Sequence, residues 1–211
     1  MIDQYEQWIK GLPLPQGILK NNQFEGRKSL LEFGVPRKNQ EPWRLTDLNK
    51  MKNLFKMPLA SGKINSKNLP PKPKDTTRLI LENIELKTIS LPKSVRILTE
   101  KEIGQYLKNS NDEISNTENW SMAINNACSN NIIALKINDN DQCNFEIVIP
   151  SQIKHLSSTR ILLIIGKKAK LNLLQIAMGS NQSAISNLIE IHLNEGSEVN
   201  HGFIGIGKND D

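Results

Sequence analysis

"KAKLNL" (168–173) and "GSEVNH" (196–201) are the two stretches on which the reading of the fold turns. Each opens on a turn and continues with a small residue, a charge and an aliphatic, and the second copy follows the first by 28 residues. They sit in a succession of short apolar runs that begins at Ile132: "IIALKI", "FEIVIP", "RILLIIG", "AKLNLLQIAMG", "NLIEIHLNEG" and "SEVNHGFIGIG". Leu171 and Leu173 alternate with polar neighbours, as do Ile189, Ile191 and Leu193, so these runs read as strands that bury one face. "ILLIIG" is apolar on both faces. A repeat of this length made only of strands points to stacked coils of a β-solenoid.

Upstream the periodicity is helical. Ile2, Tyr5, Ile9 and Leu12 fall at helical spacing, and Pro13 and Pro15 end that element. A second helix is expected from about Ile18 to Phe33, with Phe24, Leu30, Leu31 and Phe33 as packing residues. Gly34 and Pro36 stop it, as a glycine cap followed by proline does. Residues 56–75, "KMPLASGKINSKNLPPKPKD", hold four prolines and five lysines without periodicity and read as an extended or mobile linker. "TRLILENIEL" gives a strand. "SVRILTEKEIGQYL" gives a short strand and a helix, with Thr99 and Glu102 spaced as a capping box. "NSNDEISNTEN" reads as a polar loop. In "WSMAINNAC", Trp120, Ile124 and Cys128 share one helical face, which makes Cys128 a small core residue rather than a nucleophile. The organisation expected is a helical region over 1–56, a Pro/Lys-rich linker over 57–75, a small α/β segment over 76–137 and the start of a β-helix core over 138–211.

Composition limits the functions open to the chain. Its 211 residues suffice for one large domain or two small ones. Residues 1–75 carry 14 Lys/Arg against 7 Asp/Glu, whereas residues 76–211 carry 13 against 15. A basic third of this kind attracts an acidic partner or nucleic acid, or simply serves solubility. No apolar run approaches the roughly 18–20 residues of a membrane span, and the start lacks the apolar region of a secretory signal. A cytoplasmic protein with reduced thiols is expected.

Chemistry-bearing residues are few. His155, His192 and His201 and the separated Cys128 and Cys143 do not make a metal cluster. His192 shares a strand face with Glu190 and Asn194 that reads as solvated. His201 shares its parity with Val199 and Phe203 and reads as a buried, hydrogen-bonded imidazole. Asp139 and Asp141 fit a turn better than a calcium loop. "GFIGIG" lacks the following helix that a phosphate site needs. Catalytic, cofactor and metal residues are therefore expected to number none.

The most distinctive passage is "GVPRKNQEPWRLTDL" (34–48). Trp43 stands among Arg37, Lys38 and Arg44, with Leu45 and Leu48 close by in sequence to form an apolar pocket, and anchoring is the simplest role for it. The passage resembles the N-terminal signature of the SufB/SufD family of iron–sulfur cluster assembly proteins, matching at Gly34, Pro36, Arg37, Lys38, Glu41, Trp43, Arg44, Thr46 and Leu48. It departs by lacking a Thr before Arg37, by Pro42 before Trp43, and by Leu45 where an aromatic is usual. "RLILENIEL", "WSMAINNACSNNIIALKI", "FEIVIP", "TRILLIIGKKAKLNLLQ" and "LIEIHLNEGSEVNHGFI" resemble successive family segments, in the order of the SufD branch.

The resemblance implies a mainly β fold, with an N-terminal helical region, a small α/β segment and the first coils of a right-handed parallel β-helix. It implies a non-enzymatic scaffold working with SufB and the ATPase SufC, in the cytoplasm, or in the plastid stroma of a photosynthetic eukaryote. The iron–sulfur cluster would be assembled transiently by the full complex. It further implies that the C-terminal residues that form the cluster and contact SufC lie beyond Asp211. An open solenoid end invites self-association or a partner. Two other functions are compatible with the residues: nucleic-acid binding through 1–75, and a carbohydrate-active solenoid enzyme using Glu146, Glu190, Glu195 and Glu198.

Overall fold

The 28-residue spacing is the register of the strands. The computed structural model describes residues 2–61, 69–81, 91–114 and 119–207. Its strands are β1 (Thr77–Ile80), β2 (Val95–Ile97), β3 (Ile132–Ile137), β4 (Gln142–Pro150), β5 (Leu156–Ile165), β6 (Lys170–Met178), β7 (Ala184–Leu193) and β8 (Glu198–Ile206). They form two four-stranded sheets, ordered β1-β4-β6-β8 and β2-β3-β5-β7. Lys170 pairs with Gln142 on one side and Glu198 on the other, and Leu156 pairs with Ala184, so strand partners recur at one fixed offset. Turns recur with it. Asn140, Lys168 and Gly196 occupy equivalent turns with φ of 62°, 53° and 67°, and Lys154 and Gln182 repeat a second turn at 60° and 53°. Only glycine adopts this left-handed conformation without steric cost, so Gly196 is the unstrained member of its series.

The first sheet is all parallel. The second is mixed, because β2 runs antiparallel to β3. Around them pack α1 (Ile2–Lys10), α2 (Lys20–Phe33), α3 (Leu48–Lys52), α4 (Glu100–Ile114) and α5 (Trp120–Cys128). The core between the sheets joins Leu79, Phe145, Ile147 and Leu173 of one to Ile133, Leu135, Ile161 and Leu163 of the other. The opposite face of the second sheet, Ala134, Leu162 and Ile164, is covered by Leu98, by Ile103 and Leu107 of α4, and by Leu19. A third cluster gathers Tyr5, Ile9, Leu30, Phe55, Trp120, Ile124 and Cys128 around the helices and Leu156.

This architecture corrects the expected fold class. The protein is not mainly β and no β-helix solenoid is evident. It is an α/β fold of two open sheets, one parallel and one mixed, with helices packed on them. The reason is visible in "ILLIIG". A strand apolar on both faces needs two apolar partners, and here one is the facing sheet and the other a layer of helices. The repeat reports strand register, and register alone does not close a coil.

Several local readings also change. On α2, Phe24 and Leu31 are exposed, while the packed face consists of Asn22, Gln23, Gly26 and Leu30. The polar run "NSNDEISNTEN" continues α4 to Ile114 before residues 115–118, which lie outside the described residues. Once a helix is nucleated, each added residue costs little, and the capping box supplies the nucleus. The beginning of the linker is pinned, since Ala60 donates its N–H to Leu156 O at 2.8 Å and Leu156 N–H donates to Pro58 O at 2.9 Å. Residues 62–68 of that linker, residues 82–86 of "TRLILENIEL" and the final acidic pair fall outside the described residues.

The capping box forms as the spacing requires. Glu102 N–H donates to Thr99 Oγ1 at 3.3 Å, and Thr99 N–H donates to Glu102 Oε2 at 2.9 Å. The Arg96 guanidinium grips the same carboxylate at 2.6 and 3.0 Å. Arg96 first, then Thr99, holds the Glu102 carboxyl down from the usual 4.5 to about 2. A depressed carboxyl stabilises the folded form above its usual pKa, and that support fades as pH falls through about 2. A proton titration followed by carboxyl chemical shifts should place Glu102 near 2, and Arg96→Ala should move it back towards the ordinary carboxylate range.

Candidate functional site

The signature residues build a joint between α2 and α3. Gly34 caps α2 with φ of 64°, donating its N–H to Leu30 O at 3.0 Å, and Pro36 is buried behind it. Arg37 N–H donates to Gln40 Oε1 at 2.7 Å, closing a short turn. Glu41–Trp43 then forms a single 3-10 turn with Pro42 at its start, where the missing N–H costs nothing. Thr46 N–H donates to Trp43 O at 3.1 Å, and Asp47 caps α3 by accepting from Asn49 and Lys50. Leu48 opens that helix.

Trp43 is half-buried and meets Trp120 edge-to-face, with ring centroids 5.7 Å apart at 86°. The expected Leu45 wall is absent, for Leu45 is 92% exposed. Trp120 in turn donates its Nε1–H to Tyr5 Oη at 3.2 Å, and Tyr5 donates to Leu30 O at 2.9 Å. A chain of contacts thus ties the joint to α5, α1 and α2. Arg37, Lys38 and Arg44 point to solvent, Arg44 pairing with Glu41 at 3.5 Å. The basic residues of the passage are therefore accessible while its one aromatic is engaged inside, the reverse of what base stacking needs.

Histidines and acids fall at separate places. His155 is in a turn, its Nδ1 2.7 Å from Ile153 O. His201 faces the interior side of β8 but is exposed, bonding to Oε1 of the buried Gln175 at 3.1 Å. It is exposed because no described strand lies beyond β8. His192 was read as lying on a solvated face, and here the structure differs. Its ring packs on Tyr106 of α4 at 4.8 Å, and its Nε2 is 2.7 Å from Glu190 Oε1. Glu190 also reaches Arg160 Nη2 at 3.6 Å. Arg160 is 1% exposed, and its Nη1–H donates to Asn126 Oδ1 on α5. Burial lowers the affinity of that guanidinium for its proton, and Glu190 opposes the shift. Arg160 had no signal in the sequence, because its partners lie 30 or more residues away on another strand and on a helix.

The four carboxylates of the enzyme reading do not converge. Glu146 is buried against Arg78, the half-buried Glu190 lies against Arg160, Glu195 pairs with Lys167 at 3.3 Å, and Glu198 pairs with Lys170 at 2.9 Å. Asp139 accepts from the Lys167 N–H in a turn. Cys128 is buried and its thiol is pushed up to about 12, and burial pushes Cys143 up to about 11. Neither supplies a thiolate near neutrality. Among the described residues no three His, Cys, Asp or Glu side chains gather as a metal would require, and no helix is long and apolar enough to cross a membrane.

β7 and β8 are the last described strands of their two sheets, each hydrogen-bonded to one described strand. Leu193, Phe203 and Ile204 are exposed there, whereas Ile165, Gln175 and Ile176, which they follow in register, are buried, and Ile206 is exposed beside the half-buried Met178. A row of asparagines runs to the same edge. Asn200 Nδ2–H donates to Asn172 Oδ1 at 2.9 Å, and Asn172 donates to Asn144 at 2.8 Å. Asn144, Asn172 and Asn200, with Pro73, Thr76 and His201, border a shallow depression of about 570 Å³. No model of a known protein family, no curated protein and no solved structure matches this chain.

Proposed function

We propose that this chain is a SufD-like scaffold subunit of the SUF iron–sulfur cluster assembly machinery, acting with SufB and the ATPase SufC. The identity of the partners rests on the signature from Gly34 to Leu48 and on the order of the later segments. The observation that carries the reading is the joint that this signature builds, in which Gly34 caps one helix, Asp47 caps the next and Trp43 packs edge-to-face on Trp120. The signature supports the same role, since its tryptophan serves packing and its fold-side contacts make a joint rather than a reactive loop. Iron–sulfur chemistry belongs, in this reading, to the assembled complex, and the cluster is its cargo. A protein of this kind works by holding others in place.

The test is co-purification with SufB and SufC of the same source. The reading predicts that the tagged chain, or a longer form with the C-terminal part that the resemblance implies, retains both. A folded long form that retains neither contradicts it. Loss confined to the 211-residue chain would assign the contacts to that C-terminal part.

A further inference from the structure

Between Arg37 and Lys52 the backbone is a string of tight turns. Gln40 N–H donates to Arg37 O at 3.0 Å, Trp43 to Gln40 O at 3.0 Å, Thr46 to Trp43 O at 3.1 Å and Met51 to Asp47 O at 3.3 Å. The string is anchored along its length, because Pro36 is buried and Trp43 and Met51 pack on the cluster around Trp120. Its charge is mostly of one sign. Residues 37–52 hold Arg37, Lys38, Arg44, Lys50 and Lys52 against Glu41 and Asp47. Glu41 pairs with Arg44, and Asp47 is engaged in capping α3. Arg37, Lys38 and Lys50 are exposed and pair with no carboxylate among the described residues. Leu45 stands among them, 92% exposed. A lone exposed leucine is ordinary, but this one is held out by bonded turns on both sides, through Arg44 N–H to Glu41 O and Thr46 N–H to Trp43 O.

We infer that the 37–52 joint docks an acidic segment of a partner protein, with Leu45 as the apolar anchor and Arg37, Lys38, Arg44 and Lys50 meeting its carboxylates. Charge complementarity selects an acidic partner and speeds its approach. Leu45 selects protein over nucleic acid, because a phosphate backbone offers a leucine no apolar contact. Trp43, the aromatic that could stack on a base, is engaged with Trp120 instead. A symmetric second copy is a poor occupant, since it would bring one basic joint against another. The turns are already formed, so little ordering opposes binding.

This rests on the reading of the chain as a subunit that holds other proteins, but its test uses neither SufB nor SufC. The probes are labelled peptides of roughly 15 residues, about four helical turns. One carries glutamate on one helical face and leucine on the other. A second replaces the leucines by alanine, a third replaces the glutamates by lysine, and a single-stranded oligonucleotide is the fourth probe. Fluorescence anisotropy at low salt should show the glutamate–leucine peptide binding at least about tenfold more tightly than the other three. Leu45→Ser and Arg37→Glu/Lys38→Glu, checked for folding by circular dichroism, should each weaken that binding about tenfold, and only the second should strengthen binding of the lysine peptide. Equal binding of the alanine peptide, tighter binding of the oligonucleotide, or peptide binding that survives both variants would each overturn the inference. Peptide binding by a chain that does not retain SufB would leave it standing and refute the partner assignment instead.

Discussion

Arg78→Ala is expected to destabilise the protein by about 3–5 kcal/mol, the usual consequence of stripping the partner from a buried ion. Arg78 on β1 stands directly opposite Glu146 on β4 and forms an ion pair with it. Glu146 is 1% exposed, so the remaining carboxylate has no water to turn to. Arg78 also donates Nη1–H to Pro70 O at 2.7 Å, which holds the end of the linker over the first sheet. The double variant Arg78→Met/Glu146→Leu should recover much of the loss, because an apolar pair carries no desolvation penalty. Urea titrations of the wild type and both variants decide the matter. A double variant as unstable as the single one would mean that the linker contact, not the buried charge, dominates.

Gly26→Ala is expected to cost roughly 1–3 kcal/mol by overpacking, against a gain of up to about 1 from helix propensity. A methyl at Gly26 would lie 2.5 Å from Ala127 N, 2.7 Å from Asn126 Cβ and 2.9 Å from Ala123 O, all on α5. Backbone cannot yield as a flexible side chain can, so α2 and α5 must move apart. Gly26→Leu should be worse and should loosen the cluster around Trp120. Gly104 in α4 is the internal control. Nothing lies within 4 Å of an added methyl there, so Gly104→Ala should stabilise by about 0.5–1 kcal/mol. Opposite signs at two helical glycines, read from thermal and urea midpoints, separate packing from propensity.

The legible parts of the sequence were those in which neighbours along the chain decide the outcome. The capping box at Thr99 and Glu102, the α5 face of Trp120, Ile124 and Cys128, and the glycine stop at Gly34 all follow from spacings of three or four residues. The 28-residue repeat was legible because turn and strand recur together, and Lys168 and Gly196 do occupy matching left-handed turns. What failed was the step from register to architecture. Two-sided apolar strands state that both faces are buried without stating what buries them. The helical layer on the second sheet therefore went unread, and a solenoid was expected in place of an α/β fold.

The site shows the same division. That Trp43 serves as an anchor was readable, but its partner Trp120 lies 77 positions away and Leu45 beside it faces solvent. Phe24 looked like core and is exposed, because the Gly26 face of α2 is the one that admits α5. His192 was placed by strand parity on an outer face, and parity was right. That face is covered by Tyr106 of α4, which parity cannot know. Arg160 pairs through contacts between layers, so its burial depends on the completed packing.

The central proposal is that this chain works as a scaffold subunit together with SufB and SufC. Hydrogen–deuterium exchange of the chain with and without SufB tests it most directly. Protection of a continuous stretch of the chain when SufB is added is the predicted result. Exchange unchanged along the whole chain, with both proteins folded, would contradict it.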